Sequence, residues 1–129
     1  MSPGRDVVIL ACAISAGIHA ALVPEHGLPF VTATGLLAGT VLVLTLRPAT
    51  APALAAAATV LAGLLGSYVL AVTSGLPFLH PRPEPMNGLA FATKAIEAVG
   101  LATALALLPR PKGPLTWIAH TRREPSRSA

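Results

Sequence analysis

Residues 86–108 read MNGLAFATKAIEAVGLATALALL, and this stretch decides which solvent the chain folds in. A bilayer core is crossed by roughly 17–25 apolar helical residues. The stretch meets that requirement, yet it carries Lys94 and Glu97 one helical turn apart. A charge at the centre of a membrane helix costs about 2.5–3.5 kcal/mol even on the lenient scales, so such residues face protein or water rather than lipid. Function is expected close to that pair.

Three runs of the same character precede it, at about 7–23, 30–46 and 51–74, and the last run covers about 88–108. Pro24, Pro29, Pro48, Pro52, Pro77 and Pro109 fall at their ends, where a missing N–H and a locked φ do least harm to a helix. The pattern predicts an all-α, four-helix transmembrane bundle. Composition agrees: 53% of residues are hydrophobic and only 11% charged, against about 25% charged in a soluble domain. There is too little polar material to coat a water-facing surface, and the mean hydropathy is +0.71. The first run follows Arg5 but has no small-x-small cleavage site before Pro24, so it is expected to be a retained helix rather than a signal peptide.

Basic residues set the expected orientation. With a cytoplasmic N-terminus, the inner side holds Arg5, Arg47, Arg110, Lys112, Arg122, Arg123 and Arg127, and the outer side holds Arg82. Positively charged loops stay inside, so both termini are expected in the cytoplasm of a multi-pass plasma-membrane protein. Residues 109–129 read as a basic, disordered tail attracted to anionic lipid, with Trp117 at headgroup level. A net charge of +4 would suit nucleic acid in a soluble protein, but five of the nine basic residues lie in this tail without interleaved stacking aromatics. Nucleic acid is therefore not an expected partner. Cys12 stands alone and forms no internal disulfide.

Small residues recur every fourth position at Ala13, Gly17 and Ala21, at Gly35 and Gly39, and at Thr59, Gly63 and Ser67. In lipid, close backbone approach replaces the hydrophobic drive for helix association. These spacings suggest a compact bundle and either a homo-oligomer or a place in a larger membrane complex. Gly27-Leu28-Pro29-Phe30 is echoed by Gly75-Leu76-Pro77-Phe78. The echo suggests a duplicated helical hairpin, or else two ordinary Gly/Pro helix terminators.

The expected topology collects polar side chains in the outer half. His19 lies near the outer end of the first helix, Glu25 and His26 follow it, His80, Arg82 and Glu84 occupy the second outer connection, and Tyr68 lies in the outer part of the third helix. Lys94 and Glu97 fall ~9 and ~13 Å below the start of the fourth helix at 1.5 Å per residue. His19, Glu25, His26, Tyr68, His80, Glu84, Lys94 and Glu97 are the candidate ligand or ion residues. Of these, His19, His26 and Glu97 offer the nitrogen and oxygen donors that a transition metal accepts, although Pro24 is expected to end the first helix between the two histidines. The plain alternatives are wet interfacial histidines and a hydrogen-bonded core histidine.

Glu97 has three readings: a proton or ion site with Lys94, His19 and Tyr68, a structural ion pair with Lys94, or a partner of Tyr68 or His19 while Lys94 snorkels outward. Haem is not expected, because only His19 is a convincing intramembrane histidine. Cys12 and Ser15 share the face of His19, with Cys12 read as packing. No nucleophile–base triad, phosphate loop or paired acid/base site is present, so no enzyme is expected. Residues 79–85, LHPRPEP, alternate proline with polar residues and read as a stiff connection, either a lid or partner epitope over the outer site or a plain linker.

The layout of His19, Pro24-Glu25-His26, Gly75-Leu76-Pro77, Glu84 and Lys94-x-x-Glu97 resembles small four-pass bacterial membrane proteins that have no assigned activity. The resemblance covers residues 7–108 and implies a topology rather than a function. The expected function is that of a small membrane protein binding or conducting a cation, metal ion or proton, through Glu97 and His19. The rival is an accessory or scaffolding subunit with no ligand of its own.

Overall fold

The computed structural model describes residues 2–47, 49–76 and 82–109. His80 and the basic tail from Arg110 onward lie outside the described residues. The described chain folds into four helices: α1 (Pro3–His26), α2 (Leu28–Leu46), α3 (Ala51–Thr73) and α4 (Gly88–Leu107). Each is long and apolar enough to cross a membrane. Their outward residues confirm which solvent they suit, since large apolar side chains such as Leu10, Leu42, Val69, Phe91 and Val99 are exposed. A surface of that kind suits lipid or a partner helix rather than water. The exposed threonines fit as well: Thr32, Thr45, Thr59 and Thr103 each donate a hydroxyl to the carbonyl four residues back, at 2.7–3.1 Å. A polar group that satisfies itself on its own helix can face hydrocarbon.

Three of the four helix starts carry a side-chain cap. Ser2, Thr50 and Asn87 accept from backbone N–H groups three residues on, and proline occupies the first turn of α1, α2 and α3. Such residues satisfy the donors that a helix start leaves orphaned. Ser2-Pro3 starts α1 four residues before the apolar run begins. Its other end corrects a second expectation. Pro24 lies inside α1, in the last turn, and the helix runs on to His26. Proline removes one intrahelical bond but keeps helical φ, and the end is closed instead by Gly27, whose N–H donates to Val23 O at 2.8 Å. Gly27 has φ +68° and alone separates α1 from α2; this left-handed conformation is open to glycine at no steric cost. Gly75, after α3, repeats it at φ +73°. The two echoed Gly-Leu-Pro segments thus share a positive φ at their glycines.

The helices form an antiparallel ring in which α1 and α3 each lie between α2 and α4. Side-chain contacts fix the register. Arg5, at the start of α1, donates through Nε to Leu44 O at 2.8 Å and through its terminal nitrogen to Leu44 O and to Thr45 O, closing the orphaned carbonyls at the end of α2. A cation at a helix C-terminus is also favoured by the helix dipole. Buried positions recur at spacings of four and three, Val8, Cys12, Ser15 and His19 on α1 and Thr93, Glu97, Gly100 and Ala104 on α4. That is the seam of a left-handed bundle. The closest approach is at Gly100, where an added Cβ would lie 2.7 Å from Ala11 Cβ and 3.2 Å from Leu61 Cδ1. By contrast Gly17, Gly35, Gly39 and Gly63 have open space where a Cβ would sit. These glycines of the four-residue spacings therefore do not mark the close helix contacts within the bundle, which leaves the homo-oligomer expectation untouched.

Candidate functional site

At the end of the bundle that carries Gly27, the four helices line a half-open cavity of about 650 Å³. Small-molecule sites typically span about 300–1,000 Å³ with mostly apolar walls and a few placed polar groups. Here the walls include Ile18, Leu22, Phe30, Leu64, Ala71 and Leu76, and the polar lining includes His19, Tyr68 and Lys94. Glu25, His26 and Glu84 also line it, with Glu25 exposed at the end of α1. The return chain is pinned over this end by Glu84 N–H, which donates to Ala71 O at 3.0 Å and closes a terminal carbonyl of α3.

A fixed polar network floors the cavity. Glu97, with 0% exposure, accepts from Ser15 Oγ at 2.5 Å through one oxygen and from Lys94 Nζ at 2.7 Å through the other. Short distances of this kind mark charge-assisted hydrogen bonds. Ser15 sits on α1, so the carboxylate of α4 is held from two helices. His19 Nδ1 lies 2.9 Å from Ser15 O and 3.3 Å from Ser15 Oγ. A carbonyl only accepts, so Nδ1 carries the proton and Nε2 is the ring's remaining group. Phe30, in the first turn of α2, packs its ring against both His19 (5.1 Å between centroids) and His26 (4.4 Å). Lys94 Nζ stands 5.6 Å from the centroid of the Tyr68 ring. Tyr68 Oη is buried and has no hydrogen-bond partner among the described residues.

Below this floor the polar groups stop. Among the described residues, the buried polar or charged side chains are Ser15, His19, Thr93 and Glu97. From Ser15 toward the Arg5 end the core consists of Cys12 and apolar residues including Val8, Leu44, Leu54, Ala57, Leu61 and Ala104.

The expected site residues separate into three groups. His19, Glu25, His26, Tyr68, Glu84 and Lys94 line one cavity. Glu97 stands behind it, holding Lys94, and of its three expected roles the ion pair is the one observed. Tyr68 and His19 do not bond Glu97, because Lys94 reaches it first. His80 lies outside the described residues. As metal ligands, His19, His26 and Glu97 do not converge: among the described residues no three His, Cys, Asp or Glu side chains gather as a metal-binding group. The physical reason is prior engagement. His19 Nδ1 is tied to its own helix, His26 Nδ1 lies 3.3 Å from Leu22 O, and both oxygens of Glu97 are taken. Sequence reasoning missed Ser15 as the hub of the network and Phe30 as the wall between the histidines; the faint signal for Ser15 was its place one turn before His19 on the same face. Compared with protein-family models, curated proteins and solved structures, the chain matches none of them.

Proposed function

We propose that this four-helix membrane protein is a binding protein, holding a small amphipathic molecule in the cavity at its Gly27 end. In this reading that end faces outward across the plasma membrane, both termini are cytoplasmic, and the basic tail lies against anionic lipid. One observation carries the proposal: the cavity has a polar floor and no polar continuation. A conduit for protons or metal ions needs hydrogen-bonding groups or water along its whole length, and the buried core between Ser15 and the Arg5 end is apolar. A cation held by Glu97 would have to displace the Lys94 ammonium already there. An accessory subunit with no ligand would have no need of a cavity of this size with the Lys94 side chain on its wall.

Filling the cavity tests the proposal. Ala90 lines it and is half-buried, so Ala90→Trp places an indole inside without breaking the polar network. Native mass spectrometry of the gently solubilised protein is expected to show a bound small molecule on the parent and none on Ala90→Trp. An adduct retained equally by both, or absent from both, tells against a binding site in the cavity.

A further inference from the structure

We infer that the cavity's occupant is a bilayer lipid, with its polar head in the cavity and one acyl chain running down a groove between α2 and α3. This rests on the binding role proposed above and names its ligand class. The groove holds about 330 Å³ between Leu36, Gly39 and Val43 of α2 and Ala53, Ala56 and Val60 of α3. Small residues carve it. A Cβ added at Gly35 or Gly39 would meet nothing within 4 Å, and α2 and α3 are the least closely packed neighbours in the ring. Thr40, a polar side chain on its wall, spends its hydroxyl on Leu36 O at 2.8 Å. The groove therefore offers a ligand little but hydrocarbon.

Register joins the groove to the cavity. Ala33 and Leu64 line the cavity, and Leu36 and Val60 line the groove. The two helices run antiparallel, so the step from one pair to the other is one turn toward the Arg5 end on the same face of each helix. The groove thus continues the cavity along the lipid-facing side of the bundle, for ~12 Å from Gly35 to Val43 at 1.5 Å per residue. Its width selects the occupant. A volume of 330 Å³ over that length leaves a section of about 28 Å², and a helix 10–12 Å across needs about three times as much. An extended hydrocarbon chain is the slimmer fit. At the cavity end, Lys94 spends one of its three ammonium donors on Glu97, and the others suit an oxygen of a lipid head. A lipid can enter both spaces from the surrounding bilayer, its chain held by close packing rather than by the hydrophobic effect.

A phosphatidylcholine carrying a diazirine midway along one acyl chain tests this in nanodiscs of ordinary phosphatidylcholine. The full chain is irradiated and its labelled residues are mapped by mass spectrometry, for the parent, Ala90→Trp, Gly39→Leu and Gly63→Leu. Gly39→Leu fills the groove, whereas Gly63 also has open space for a Cβ but lines neither the groove nor the cavity. In the parent, groove residues are expected to be labelled roughly fivefold more than outward residues such as Leu10 and Val99, a positional preference of about 1 kcal/mol. Gly39→Leu is expected to abolish that excess and Gly63→Leu to keep it. Ala90→Trp, which leaves the groove intact, is expected to abolish it too, because one molecule spans both spaces. No excess in the parent, or an excess that survives Ala90→Trp or Gly39→Leu, overturns the lipid assignment. So does a lower oligomer mass in Gly39→Leu, which would make the groove an interface between copies. In each of these cases the binding role stands if the parent still carries an adduct that Ala90→Trp lacks, and falls with the lipid assignment if it does not.

Discussion

Breaking the Lys94–Glu97 pair from its two sides should not cost the same. Glu97 has no exposure, whereas the Lys94 side chain is 15% exposed at the cavity. Lys94→Met strands a carboxylate in the core with only the Ser15 hydroxyl, and removing one partner of a buried pair typically costs 3–5 kcal/mol, so about 4 kcal/mol is expected. Glu97→Met strands an ammonium that can turn to cavity water, and the loss is closer to one charge-assisted hydrogen bond, about 1.5–3 kcal/mol. The double variant removes both charges and replaces them with apolar side chains of similar length. It should sit within about 1 kcal/mol of the parent once the desolvation cost of the pair is gone. The pair therefore shows a coupling of several kcal/mol in a double-mutant cycle. Reversible unfolding in mixed detergent micelles measures all four proteins. Glu97→Met costing as much as Lys94→Met, or a double variant equal to the sum of the singles, would refute this account of the floor.

Two further changes test the packing. Gly100→Val puts methyl groups where Ala11 Cβ already lies 2.7 Å from an added Cβ; overpacking of this kind costs about 1–3 kcal/mol, and a lowered unfolding midpoint is expected, with Gly35→Val as the unaffected control because its Cβ meets open space. Arg5→Ala uncaps the carbonyls of Leu44 and Thr45 at the end of α2, for a loss of about 1–2 kcal/mol and faster hydrogen exchange confined to the last turn of α2.

The bundle was legible in the sequence because, in lipid, a span is marked by hydropathy and length alone. Its ends were less so. Pro24 reads as a stop, yet a proline in the last turn forfeits only one bond and Gly27 supplies the closure two residues beyond His26's neighbour Glu25. The Lys94–Glu97 pair was legible from spacing and cost, since two charges in an apolar run have few other places to go. Ser15 was not, because a lone serine in an alanine-rich helix carries no signal until its partner across the bundle is known. The small-residue spacings did not mark the seam within the bundle, for a related reason. A chain rich in alanine and glycine presents them on every face, and the inward face is chosen by which one carries Ser15, His19 and Glu97. Gly100, the glycine at the closest approach, belonged to none of the spacings that drew attention. The cavity was beyond reach, since its volume depends on how four helix ends lie apart.

Cysteine accessibility tests the one-ended cavity most directly. In a Cys12→Ala background, Ala90→Cys places a thiol on the cavity wall, and Ala57→Cys places one in the apolar core below, where Ala57 has 0% exposure. A charged, water-soluble thiol reagent applied to intact cells, and separately to inverted membranes, is expected to modify Ala90→Cys from the outer side alone and Ala57→Cys from neither. Modification of Ala57→Cys would mean that water continues past the floor, and the protein would then be a conduit rather than a binding site.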